Sequence, residues 1–266
     1  MARSRIVRVV HRVWVTVGLT AFVVFAGWSL LAYRANGEAH RAVESSPSLS
    51  ISHEAGYWSF TPLGTTKRSD VGLLFFAGSL VDPVAYAPIA RAAASAGFPA
   101  LVVELPRRGA FGGADDPALL DRARSLMRRS GGPSRWVVAG HSRGGAVASQ
   151  LASEPSPGLV ALVLIGTSHP RDFSLAHLTI PVTKISGSRD GLARPDRIAA
   201  NRSLLPATTR WVEIAGGNHS QFGWYGFQPG DRRATIPAAE QRAVMLRAIG
   251  DALHAVRGRT RLTINR

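Results

Sequence analysis

The sequence predicts an α/β fold: a mostly parallel central sheet with helices on both faces, preceded by an N-terminal transmembrane helix. Three observations carry this. From Val71 onward, short apolar runs of strand length alternate with amphipathic runs of helix length, the pattern of parallel strands joined by right-handed crossovers. The strand-length runs are apolar almost without a break, as strands buried on both faces are. Ahead of them, residues 13–33 carry no charged side chain, and at helical rise that length is about the thickness of a bilayer's hydrocarbon core.

Residues 1–12 form a basic segment with Arg3, Arg5, Arg8 and Arg12. Residues 13–33 are the span, with Trp14, Trp28 and Tyr33 suited to the two interfaces. The arginines in front predict a cytoplasmic N-terminus and a domain on the extracytoplasmic side of the cell membrane. The apolar core is long for a signal peptide, and Tyr33-Arg34 interrupts any small-residue cleavage site, so a single-pass, uncleaved anchor is expected. Residues 34–48 are polar and include Ser45-Ser46-Pro47-Ser48, which reads as a linker.

The domain proper covers residues 49–258. It opens with two candidate strands, 49–53 and 57–61, as an antiparallel hairpin at the sheet edge. Parallel strands are expected at 71–76, 100–105, 136–139, 159–165, 182–186 and 210–214. Helices are expected over 83–96, 117–129, 144–154, 195–203 and 237–256. The last sets Leu246, Ile249, Leu253 and Val256 at helical spacing, a packing stripe. The basic tail, 259–266, has little to bury and is expected to be mobile.

At 266 residues the chain suits one α/β domain plus an added segment. It has no cysteine, which excludes disulfides, thiolate metal sites and a lipoprotein anchor. The net charge of +15 is carried by arginine, since Lys67 and Lys184 are the only lysines. The arginines are scattered and no nucleic-acid motif accompanies them, so they read as solvated surface and no nucleic-acid partner is expected.

The chemistry centres on Trp136-Val-Val-Ala-Gly140-His141-Ser142-Arg143-Gly144-Gly145. It reads as a buried strand, a glycine-flanked turn and the start of a helix, which is the context a G-x-S-x-G nucleophile elbow requires. A serine hydroxyl needs a base, and the base needs a third group to orient it. In α/β hydrolases these follow in the order serine, acid, histidine, each past the end of a later strand. Asp190, after strand 182–186, and His219, after strand 210–214, stand at those places. Their rivals fit less well. Asp196 follows Pro195 in a first helical turn, and Glu213 lies inside a strand. His141 points into the sheet packing, and His169 and His177 come too early. His11, His40, His53 and His254 are far from strand ends. An oxyanion hole needs two backbone N–H groups. Arg143 supplies one, and the loop after strand 71–76 supplies the other, from Ser79 or Leu80. Asp82-Pro83 reads as a helix cap.

The sequence is similar to the alpha/beta hydrolase fold-5 domain family, whose smaller members resemble dienelactone hydrolases. The matching pieces are Gly78-Ser-Leu-Val-Asp82-Pro83-Val-Ala-Tyr86-Ala-Pro88, Gly140-His-Ser-Arg-Gly-Gly145 and Ser186-Gly-Ser-Arg-Asp190-Gly-Leu-Ala193. The last and most specific piece is Gly216-Gly-Asn-His219-Ser-Gln221-Phe-Gly-Trp-Tyr225-Gly-Phe-Gln228-Pro-Gly-Asp231. The resemblance spans residues 50–255. It implies a serine hydrolase with Ser142, Asp190 and His219 as its triad. Such an enzyme acts on a small-molecule ester or other acyl substrate and needs no metal or organic cofactor. One departure is the oxyanion loop, Ala77-Gly78-Ser79 where the family usually has Pro-Gly-Gly. The stretch between Ile165 and Val182 is too short for a lid domain, so an open pocket is expected, walled by 107–115, 168–178 and 221–228. Two further readings use the same residues: a non-catalytic binding or scaffold module, and an acyltransferase.

Overall fold

A computed structural model describes residues 2–64 and 69–263. The strands are β1 (Leu49–Glu54), β2 (Tyr57–Pro62), β3 (Val71–Phe76), β4 (Ala100–Val103), β5 (Arg135–His141), β6 (Leu159–Ile165), β7 (Val182–Gly187) and β8 (Arg210–Ile214). The helices are α1 (Ala2–Ala32), α2 (Gly37–Arg41), α3 (Ala87–Ser95), α4 (Pro117–Met127), α5 (Arg143–Ser153), α6 (Pro195–Ala200) and α7 (Ala238–Thr263). The strands form one eight-stranded sheet in the order β1-β2-β4-β3-β5-β6-β7-β8. The hairpin β1–β2 lies antiparallel at one edge, β2 pairs antiparallel with β4, and all other pairs are parallel.

Alternation along the strands divides the core into two. Leu73, Phe75, Val137, Ala139 and Val163 face α3 and α7. Leu74, Phe76, Val138, Leu162 and Leu164 face α4 and α5. Each of the larger side chains is fully buried and contributes about 1.5–3 kcal/mol of transfer free energy. The sheet grows outward from β3, with β4 on one flank and β5 on the other. The strand order reverses there, so a crevice opens beyond the carboxyl ends of β3 and β5, where open α/β sheets place their ligands.

The structure adds detail to three of the terminal and connecting segments. Residues 34–48 are not a free linker. Asn36 caps α2 by accepting from the Ala39 N–H at 3.0 Å. Ala39 and Ala42, three residues apart on that short helix, are small enough to bury against the core. Arg91 donates to the carbonyls of Ala42 (3.2 Å) and Glu44 (2.7 Å). α1 begins at Ala2, so one helix runs through the basic front segment into the apolar stretch. Within α1, Val7–Trp28 has a mean hydropathy of 1.8 and none of it is buried, so it is long and apolar enough to cross a bilayer. At the other end α7 continues to Thr263, since residues 257–263 are good helix formers apart from Gly258 and the two threonines; residues 264–266 lie outside the described residues.

Candidate active site

Strand β5 ends at His141 and α5 begins at Arg143, so Ser142 alone makes the turn. Its φ of 54° and ψ of −118° are a strained backbone conformation for a residue with a side chain, costing on the order of 1–3 kcal/mol. The flanking glycines are required sterically. A Cβ on Gly140 would lie 2.2 Å from the Gly144 carbonyl oxygen, and one on Gly144 would lie 2.3 Å from that of Phe76. One on Gly145 would meet the Thr167 methyl at 2.7 Å. The Ser142 hydroxyl is half-buried and has no hydrogen-bond partner among the described residues.

Asp190 and His219 come together from the loops after β7 and β8. Both are fully buried, and the His219 Nδ1 lies 2.9 Å from the Asp190 Oδ2. The other Asp190 oxygen accepts the N–H groups of Leu192 (2.9 Å) and Ala193 (2.7 Å). These bonds fix the carboxylate, and the carboxylate fixes the ring. The His219 Nε2 is buried without a hydrogen-bond partner, and no direct bond joins it to Ser142. What links the two loops to the elbow is His141, whose ring centroid lies 4.5 Å from that of His219.

A second acid binds both loops. The Asp231 Oδ1 accepts from the N–H groups of Gly191 (3.0 Å), His219 (3.3 Å) and Arg232 (2.8 Å). Its Oδ2 accepts from the Ser220 N–H (2.8 Å) and hydroxyl (2.7 Å). From α7, the buried Gln241 amide brackets Asn218, accepting its N–H at 2.9 Å and donating to its carbonyl at 2.6 Å.

Beneath His219, His141 is wholly buried, and its Nδ1 lies 2.8 Å from the Tyr86 hydroxyl. Burial holds the His141 pKa well below the ordinary imidazole value, and the neighbouring His219 adds to this. Burial likewise raises the Tyr86 phenol. Both groups are therefore neutral. Gly78 packs on them, since a Cβ there would lie 2.5 Å from the Tyr86 hydroxyl oxygen.

The loop after β3 lies across from the elbow. The Leu80 N–H donates to the Arg108 carbonyl at 2.6 Å, so it is already used. The backbone N–H groups of Ser79 and Arg143 have no acceptor among the described residues. Arg143 is the first residue of α5, where backbone N–H groups have no partner within the helix and the dipole favours negative charge.

The model of the alpha/beta hydrolase family matches residues 72–243. The chain belongs to that family. No curated protein matches the sequence. Solved structures share the hydrolase fold at low identity. A Klebsiella pneumoniae protein given the name dienelactone hydrolase is 18% identical, with a TM-score of 0.53 over 75% of this chain and 92% of its own. Ferulic acid esterase from Streptomyces cinnamoneus is 19% identical, with a TM-score of 0.56 over 76% and 82%. A Xanthomonas campestris protein described as an α/β serine hydrolase without a lid is 14% identical, with a TM-score of 0.52 over 79% and 97%. At these identities the likeness speaks for the fold.

Within this hydrolase the rival residues have other roles. Asp196 forms a two-pronged pair with exposed Arg194 (2.9 and 2.8 Å). Glu213 is exposed, and Asp82 caps the turn before α3 through the Val84 N–H at 3.0 Å. His169 lies near the elbow, but burial and the charges of Arg171, Arg143 and Lys184 push its pKa down to about 4. With Arg143, Asp115, Asp172 and Phe173 it lines a cleft of 230 Å³ beside α5. No cluster suited to a metal ion occurs among the described residues. Sequence reasoning missed Asp231, Gln241 and the Tyr86–His141 pair. Asp231 stood at the end of the most specific matching block, the one signal that could have marked it.

Proposed function

We propose that this hydrolase is a membrane-anchored serine esterase that works through an acyl-enzyme. One observation carries the reading: a buried histidine whose Nδ1 is held by a carboxylate and whose Nε2 has no hydrogen-bond partner packs against the residue adjacent to a strained, glycine-flanked serine. In the first half-reaction the Ser142 Oγ attacks the ester carbonyl and its proton passes to the His219 Nε2. The carbonyl oxygen becomes an oxyanion facing the N–H groups of Arg143 and Ser79. The ester C–O bond then breaks, and the alcohol leaves with the proton from His219. In the second half-reaction water attacks the acyl-serine, gives its proton to His219, and releases the acid and the free hydroxyl. Asp190 stabilises the imidazolium formed in each half. The neutrality of His141 matters here, because a second positive charge 4.5 Å away would oppose protonation of His219.

Residues 13–33 anchor the enzyme, and the arginines before them set the domain outside the cytoplasm. A fluorophosphonate probe tests the chemistry. The wild-type chain labels and turns over simple esters. Ser142→Ala folds, does not label, and loses about 10³-fold or more in kcat. An Ser142→Ala variant that retains esterase activity overturns the reading.

A further inference from the structure

The join between α1 and the hydrolase domain has no slack. The Ala32 carbonyl accepts the Gly226 N–H at 2.8 Å, the Tyr33 carbonyl accepts the Asp82 N–H at 2.9 Å, and the Asn36 N–H donates to the Trp224 carbonyl at 2.9 Å. Backbones touch at this point, because a Cβ on Gly226 would lie 3.0 Å from the Ala32 carbonyl oxygen. Asp82 closes the loop that carries Ser79, while Trp224 and Gly226 follow His219. The end of the apolar helix is therefore bonded to both loops that shape the site. Arg242 of α7 reinforces the join. It donates to the Gly223 carbonyl at 2.8 Å, covers the Trp224 ring at 4.5 Å, and lies 3.8 Å from the Glu38 carboxylate of α2.

The distribution of exposed apolar side chains is independent of that join and marks the same place. Outside α1, the exposed large apolar residues among those described are Leu63, Leu80, Phe111 and Phe227. Two of them adjoin the join, and a third lies on a loop bonded to one of those two. Leu80 is two residues before Asp82, and Phe227 follows Gly226 directly. Phe111 belongs to the loop whose Arg108 carbonyl holds Leu80, and it is 93% exposed. A phenylalanine so exposed gains nothing in water, whereas burying it in an apolar medium is favourable. Arg34, Arg107 and Arg108 are exposed beside these residues and suit lipid phosphates.

We infer that the mouth of the site faces the bilayer that holds α1, and that the substrate is an acyl ester of a membrane-resident amphiphile, reaching Ser142 from the lipid surface. The inference rests on the anchored-esterase reading and names its substrate class. The bond broken is the amphiphile's ester, its acyl group passing to Ser142 and then to water.

The test uses the full chain in phospholipid vesicles. Because the protein has no cysteine, Val15→Cys, Leu63→Cys, Phe111→Cys and Phe227→Cys each give a single site for a nitroxide label. The expected result is that labels at 15, 111 and 227 relax with oxygen dissolved in lipid, and the label at 63 with a water-soluble nickel chelate. Labels at 111 and 227 that behave like 63 while 15 stays in lipid overturn the inference and leave the anchor standing. A label at 15 that reports water removes the anchor and the inference together. In a second measurement the Phe111→Ser, Phe227→Ser double variant turns over a long-chain umbelliferyl ester in vesicles and a water-soluble acetate ester. The ratio of the two rates is expected to fall about ten-fold, by loss of interfacial contact. An unchanged ratio overturns the inference, and continued fluorophosphonate labelling of Ser142 shows that the esterase reading survives it.

Discussion

The two rims of the site are held by different means. On the rim after β7 and β8, Asp190, Asp231 and Gln241 each make several hydrogen bonds; Asp190 and Gln241 are buried and Asp231 is half-buried. On the opposite rim, Leu80, Arg107, Arg108 and Phe111 all have positive φ, and each is exposed. With Ser142 these are the non-glycine residues of left-handed backbone among those described, and all of them border the site. A satisfied, buried network fixes atoms in place. The strained, exposed rim has no such buried network behind it.

The sharpest way to break this contrast is Asp190→Asn. The amide keeps the shape, but His219 loses its anionic partner, and kcat is expected to fall about 10³- to 10⁴-fold with little change in melting temperature. Steady-state kinetics alongside thermal unfolding checks both halves of that statement. Asp231→Ala comes next. It strips acceptors from Gly191, His219, Ser220 and Arg232, and is expected to cost about 2–4 kcal/mol in denaturant titration and about ten-fold in kcat. A loss of stability with no loss of rate would mean that Asp231 does not position His219.

The packed rim also carries an electrostatic tension. Lys184 in β7 is buried, its ammonium donating to the His169 carbonyl at 2.5 Å. Burial first, then Arg171, lowers its pKa to about 7. The unfolded chain keeps that proton up to the ordinary lysine range, so between those limits it binds more protons than the folded chain. Stability is therefore expected to rise with pH from about 7 to about 10, by at most about 1.4 kcal/mol per unit. Lys184→Met should flatten that slope. The smallest effect belongs to the strained rim. Arg108→Gly removes a left-handed penalty but adds freedom to the unfolded chain, so stability should be unchanged or raised by up to about 1 kcal/mol. A clear loss would show that the Arg108 side chain, not its backbone, holds the loop.

Much of this was legible in the sequence because it depends on local pattern. The apolar runs located every strand of the sheet, although β5 extends to His141 and β4 stops at Val103. The turn glycines marked the strained turn at Ser142, and the places of Asp190 and His219 after strand ends marked two side chains that the structure pairs at 2.9 Å. The rest depended on partners distant in the chain. Leu80 could not be separated from Ser79 until the Arg108 carbonyl was seen to take its N–H. Asp231 draws its importance from backbone donors on the loop after β7 and further back in its own connection, and backbone donors leave no mark on residue identity. The segment 34–48 read as linker because its residues are polar, yet its burial rests on two alanines and a surface supplied by α3 and the core.

The backbone join at residues 32–36 makes the end of α1 a structural part of the candidate site. Trimming the chain just before Asn36 to obtain a soluble protein would remove the carbonyls that Gly226 and Asp82 donate to, and would free the two loops they steady. Cleavage at that point would part α1 from the domain and loosen both loops beside the candidate site.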